Sequence, residues 1–211
     1  MAYDNSVFIN CPFDQKFAPL LEAMIFCVVR AGLIPRLATE RLEGGESRLD
    51  KIIEIIGACR YSIHDLSLAH ASKANEAFRM NMPFEFGLDL GRRRAPDLQT
   101  NNKQFLIFER NPYELKRCLS DIAGFDIEHH KNDFMILIEK LRNFLVIEGG
   151  RNLPGPAKIQ GDYITFLGWM TEKKIHEGHT ELEALKIPTQ ERLQEMTIWM
   201  NSGMPVGYVS T

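Results

Sequence analysis

Glu85 stands two residues after Pro83 in the segment Asn81-Met82-Pro83-Phe84-Glu85-Phe86-Gly87. Proline is favoured at the first helical position, where its missing N–H costs no hydrogen bond. The spacing therefore predicts a helix that starts at Pro83 and carries Glu85 as its third residue. A carboxylate there feels the positive end of the helix and is expected to stay ionised at neutral pH. A fixed negative charge of this kind can stabilise a sugar cation as it develops. Glutamate at this helix position is also a common capping residue, and the segment alone leaves both roles open.

Other polar residues gather where short apolar runs end: Asn10-Cys11-Pro12-Phe13-Asp14, then Thr39-Glu40-Arg41, then His64-Asp65-Leu66-Ser67. Asp14 suits the cap of a following helix. Asp65 can orient a loop backbone or contact a ligand. Adjacent strand residues face opposite ways, so only one of His64 and Asp65 can face a site, and Asp65 is the expected one. Phe13 and Phe84 offer flat surfaces for a base, while Asn10, Pro12, Asp65 and Asn81 suit the polar rim around a sugar or nucleoside. His129-His130 has no partner at metal-ligand spacing and is expected at the surface or in a loop, so no metal site is expected. Cys11 has no histidine placed to activate it. Cys11, Cys27, Cys59 and Cys118 form no CxxC pair and suit reduced, mostly buried thiols of a cytoplasmic protein. The chain has no GxGxxG after its first strand, no GxxxxGK[ST] and no GxSxG, which argues against dinucleotide, P-loop and serine-hydrolase chemistry.

The elements that must hold these residues follow from apolar periodicity. Strands are expected at 6–10, 33–38, 60–65 and 102–108, with a weak fifth at 122–127. Helices are expected at 15–31 (ended by Gly32), 48–59, 83–93, 112–118 and 132–146. Strand and helix alternation implies a mostly parallel sheet covered on both faces: a flavodoxin-like, doubly wound α/β domain over residues 1–148. A Gly- and Pro-rich linker, 149–156, leads to a small helical C-terminal appendage at 157–211, including a helix at 190–201. Its aromatic and aliphatic residues suit packing on the parent domain or capture of a partner. The 211 residues are 45% hydrophobic with a net charge of −3, ample for one core and without a basic footprint for nucleic acid. Arg92-Arg93-Arg94 suits a solvated helix C-terminus. No leader peptide or membrane span is expected.

Val7-Phe8-Ile9-Asn10-Cys11-Pro12-Phe13-Asp14, Tyr61-Ser62-Ile63-His64-Asp65-Leu66-Ser67 and Asn81-Met82-Pro83-Phe84-Glu85-Phe86-Gly87 together resemble the superfamily that joins TIR domains to nucleoside 2-deoxyribosyltransferases. The resemblance covers about two thirds of the chain. It implies that Glu85 attacks or stabilises the anomeric carbon during N-glycosidic cleavage and that Asp65 contacts the sugar. Deoxyribosyltransferases carry a Gly-Thr pair shortly before the glutamate, where this chain has Asn81-Met82-Pro83-Phe84. Many bacterial TIR-like proteins of this build act in defence by degrading NAD, so the resemblance implies an NAD glycohydrolase, with NAD as substrate and not as cofactor. It also implies control by homo-oligomerisation or by a regulatory partner at residues 157–211. Nicotinamide leaves NAD as a neutral molecule and needs no acid, whereas a neutral nucleoside base does. A single carboxylate therefore leans toward NAD. A non-catalytic nucleotide-sensing or interaction module, and a deoxyribosyltransferase or nucleoside hydrolase, stay as alternatives.

Overall fold

In a computed structural model, which describes residues 3–40, 44–68, 79–95 and 102–209, the chain forms five parallel strands: β1 (Ser6–Asn10), β2 (Ile34–Arg36), β3 (Tyr61–Asp65), β4 (Gln104–Glu109) and β5 (Ile127–His129). Their spatial order is β2-β1-β3-β4-β5, the flavodoxin-like order whose switch point lies between β1 and β3. Arg41 and most of the loop between Ser67 and Met80 lie outside the described residues. The helices are α1 (Ala18–Arg30), α2 (Arg48–Gly57), α3 (Asn81–Arg94), α4 (Phe134–Ile147), α5 (Pro156–His176), α6 (Glu181–Ala184) and α7 (Thr189–Asn201). No described helix is long and apolar enough to cross a membrane.

Side-chain alternation along the strands decides which helix covers which face. Val7 and Ile9 of β1, Tyr61 and Ile63 of β3, and Phe108 of β4 pack with α1 and α4. Phe8 points the other way onto Ile52, Ile55 and Ile56 of α2, and Ile107 meets Met82 and Phe86 of α3. In register, Asn10 pairs with His64 across β1 and β3. Both lie on the α2/α3 side, whereas Asp65 lies on the α1/α4 side.

Helix ends follow local chemistry. Ser47 caps α2 by accepting from the Asp50 N–H, and Asp133 caps α4 through the Met135 N–H. Asp14 accepts from the Phe17 N–H at 3.0 Å ahead of α1. The chain leaves α1 through Gly32 at φ +70°, a conformation that suits glycine.

α1 is buried on every side from residue 23 to residue 28, so it must be covered twice. The sheet covers one side and the C-terminal helices the other. Phe26 meets Tyr163, Phe166 and Trp199 at ring-centroid distances of 5.3, 5.8 and 5.9 Å. Ion pairs Arg30–Asp162 and Glu22–Arg192 flank this contact.

Two elements between β4 and α4 differ from expectation. The fifth strand is Ile127–His129 and not 122–127, because Ile122 ends a 3-10 turn, Ser120–Ile122, and anchors it in the α3-side core. The expected helix at 112–118 is a single 3-10 turn, Leu115–Arg117. Buried Glu109 holds the approach to it, accepting from the Tyr113 and Leu115 N–H groups.

Candidate functional site

A cavity of about 310 Å³ opens at the carboxyl ends of β1 and β3, where open α/β sheets bind ligands. Its size is at the lower end for small-molecule sites. Asn10, Pro12 and Phe13 from the β1 loop line it together with Asn81 and Glu85 of α3. A larger hollow of about 840 Å³ runs along β5 beside the first residues of β4 and the second half of α4.

α3 begins two residues earlier than the proline predicts. Its N-cap is Met80, and the Phe84 N–H already bonds the Met80 carbonyl at 3.0 Å. Pro83 is thus the third helical residue, where its N–H would also lack an intrahelical partner, and Glu85 is the fifth. That position removes the capping role, since a capping-box glutamate is third. It also corrects the expectation of a permanently ionised group. Glu85 is 6% exposed, and burial pushes its carboxyl up to about 7 against the pull of the nearby Arg48 charge.

Phe84 is 55% exposed and does not line the cavity, so Phe13 (41% exposed) is the aromatic surface at the site. Cys11 lines the cavity but is buried, and burial with the charges of Asp65, Glu85 and Asp14 holds its thiol well above the usual range. Burial thus disfavours the thiolate that a cysteine nucleophile needs.

The pair His64 and Asp65 is inverted relative to expectation, because the covering helices, not the local sequence, set which face meets α3. His64 and Asp89 are fully buried, and Asp89 sits one turn after Glu85 on α3. Asn10 Nδ2 donates to the Met82 carbonyl at 2.9 Å and also meets His64 Nδ1 at 3.1 Å. A carbonyl only accepts, so this end of the amide is the NH₂ group, and Nδ1 offers its lone pair. The ring hydrogen therefore sits on Nε2, 3.1 Å from Asp89 Oδ2. Ser62 Oγ donates to the same carboxylate. Lys103 Nζ lies 3.0 Å from Asp89 Oδ1, while its hydrogen bonds run to the Ile56 and Cys59 carbonyls. Burial raises the Asp89 carboxyl, but His64, Lys103 and Ser62 outweigh it and hold the group below the usual range. With both amide hydrogens of Asn10 engaged inside the protein, Oδ1 is the atom left to accept from a ligand.

Asp65 points into the opposite core. It accepts from the Ser67 N–H at 3.0 Å and pairs with His130 at 3.0 Å. His130, expected at the surface, is fully buried. Asp65, Ser67 and His130 share the residue types of an acyl-transfer triad without its order. Asp65 Oδ2 and Ser67 Oγ both face His130 Nε2, while Nδ1 accepts from the Asn132 N–H at 2.9 Å. Nε2 then carries the hydrogen and offers Ser67 no lone pair.

Sequence reasoning missed Arg48 and Arg79, which line the cavity mouth, and the Asp89–Lys103 pair beneath it. The one available signal was spacing: Asp89 follows Glu85 by four residues, on the same helical face. Among the described residues, no group of three His, Cys, Asp or Glu side chains could hold a metal ion. No protein-family model matches the chain, and no curated protein matches it.

Proposed function

We propose that this chain cleaves the N-glycosidic bond of a nucleotide, with NAD hydrolysis to nicotinamide and an ADP-ribose product as the leading case. The observation that carries the reading is Glu85: a buried carboxyl at the carboxyl edge of a parallel sheet, in a cavity that also offers Asn10, Asn81 and Phe13. In the ionised state Glu85 stabilises the sugar cation as the C1′–N bond breaks, or bonds to C1′ until water replaces it. The bonding electrons leave with the nicotinamide nitrogen, whose positive charge they neutralise. Water adds at C1′ and gives up a proton. The positive ring of bound NAD favours the ionised carboxyl.

A carboxyl that titrates near neutrality also favours a second reading. Its protonated form can deliver a proton to a neutral base, as a deoxynucleoside hydrolase or deoxyribosyltransferase requires. The proposed defence role, and control by self-assembly or by a partner at residues 157–211, rest on the sequence resemblance. Exposed Leu182 in α6 and Leu185 at its end are consistent with such a contact.

Incubation with NAD and with a panel of deoxynucleosides, followed by chromatography of released bases, separates the two readings. Nicotinamide release supports the first. Base release from deoxynucleosides with NAD inert replaces it by the second. Binding without turnover, unaffected by loss of Glu85, would leave a nucleotide-sensing module.

A further inference from the structure

We propose that Arg48 and Arg79 form a phosphate clamp at the mouth of the Glu85 cavity, so that the site selects phosphorylated nucleosides over free ones. The inference rests on reading the cavity as a nucleotide site.

Two guanidinium-bearing residues from separate parts of the fold line one small cavity. Arg48 is the first residue of α2, and Arg79 lies just before α3. Both are exposed, so neither supports the core. Arg79 is steadied from one side by Asp14, whose Oδ2 accepts from Nη1 at 2.9 Å. Among the described residues, the other four donors of its fork make no further hydrogen bond. An exposed pair of this kind holds weakly and does not compete strongly with a phosphate.

Arg48 is not the neutralising partner of Glu85. A dedicated pair would hold the carboxyl low, whereas burial prevails and leaves it near neutrality. The positive end of α2, a helix of ten residues, adds its field at the same point. Among the described lining residues, two arginines, Arg48 and Arg79, stand against one carboxyl, Glu85, with Asp14 offsetting part of the Arg79 charge. Guanidinium forks match phosphate oxygens in pairs. Their place beside Glu85 fits a 5′-phosphate on the ribose whose anomeric carbon meets the carboxyl.

Titration calorimetry with nicotinamide mononucleotide and nicotinamide riboside tests this, with product formation followed in parallel by chromatography. The phosphorylated probe is expected to bind about tenfold to a hundredfold more tightly, the range of one or two charge-assisted contacts. Arg48→Ala and Arg79→Ala are each expected to erode that preference. Added salt should shrink it. Circular dichroism checks that both variants fold, as expected for exposed positions. Equal affinity for the two probes, no binding of either, or a preference that survives both substitutions overturns the clamp. A preference without cleavage retains the clamp and removes the glycosidase reading. Cleavage of both probes at equal affinity does the reverse.

Discussion

Glu85 and Asp89 stand one turn apart on the same face of α3, yet burial drives the first toward neutrality while the second stays charged. The difference lies in their partners. Asp89 has His64, Ser62 and Lys103 within hydrogen-bond or ion-pair distance, whereas among the described residues Glu85 has the field of Arg48 alone to oppose desolvation. Neighbouring carboxyls pushed in opposite directions are a common arrangement for dividing chemical from structural roles.

The pH dependence of cleavage separates the two proposed chemistries. If ionised Glu85 stabilises the sugar cation, kcat/KM for NAD rises as pH increases through about 7, the point at which the free enzyme's carboxyl loses its proton. If protonated Glu85 delivers a proton to a neutral base, activity falls across the same interval. A profile from pH 5 to 9 at constant ionic strength distinguishes a rising from a falling limb. A flat profile would remove Glu85 from the chemistry.

The same carboxyl sets a stability difference with a definite sign. Its value rises from 4.5 in the unfolded chain to about 7 in the folded one. The folded state therefore holds the proton more tightly, and stability falls as pH climbs through that window. Glu85→Gln cannot ionise. It is expected to stabilise the protein by on the order of 2–3 kcal/mol above pH 7. The gain should vanish below pH 4.5. Urea titrations at pH 8 and pH 4 measure this, and an equal effect at both would contradict it.

The buried ion pair under the site is expected to behave as a unit. Asp89→Asn leaves the Lys103 ammonium uncompensated in the core and should cost about 3–5 kcal/mol. Lys103→Met leaves Asp89 with His64 and Ser62 and should cost less. Because the groups lie 3.0 Å apart, the double variant should cost less than the sum of the singles by about 0.5–3 kcal/mol. Additive losses would mean that the pair is not coupled.

What sequence could foretell depended on how local the cause was. β1 fell where the apolar run and its polar ends put it, and the five-stranded parallel architecture followed from alternation. Asn10, Pro12, Phe13, Asn81 and Glu85 were legible as one cluster because strand ends converge at one edge of such a sheet. The face of Asp65 was not legible, since it depends on which helix covers which side. Nor was the burial of His130, whose partners Asp65 and Ser67 are distant in sequence. Pro83 misled by two residues because proline is tolerated throughout the first turn, where N–H groups lack partners in any case.

Trp199 tests the role of the C-terminal helices. Its ring is buried against Phe26 of α1 and Phe166 of α5. Trp199→Ala is expected to cost about 3–5 kcal/mol, and Phe26→Ala a similar amount. Since the rings touch, the double variant should lose less than the sum. A loss within about 0.5 kcal/mol, the usual range for surface positions, would show that these helices do not stabilise α1.

The most direct test of Glu85 as the group facing the anomeric carbon is nicotinamide release from NAD by the intact protein and by Glu85→Gln, side by side at pH 8. Release by the intact protein and a drop of at least about a hundredfold in the folded variant is the expected result, in line with the loss of a group that acts on the transition state. A folded Glu85→Gln protein that releases nicotinamide at an undiminished rate would contradict it.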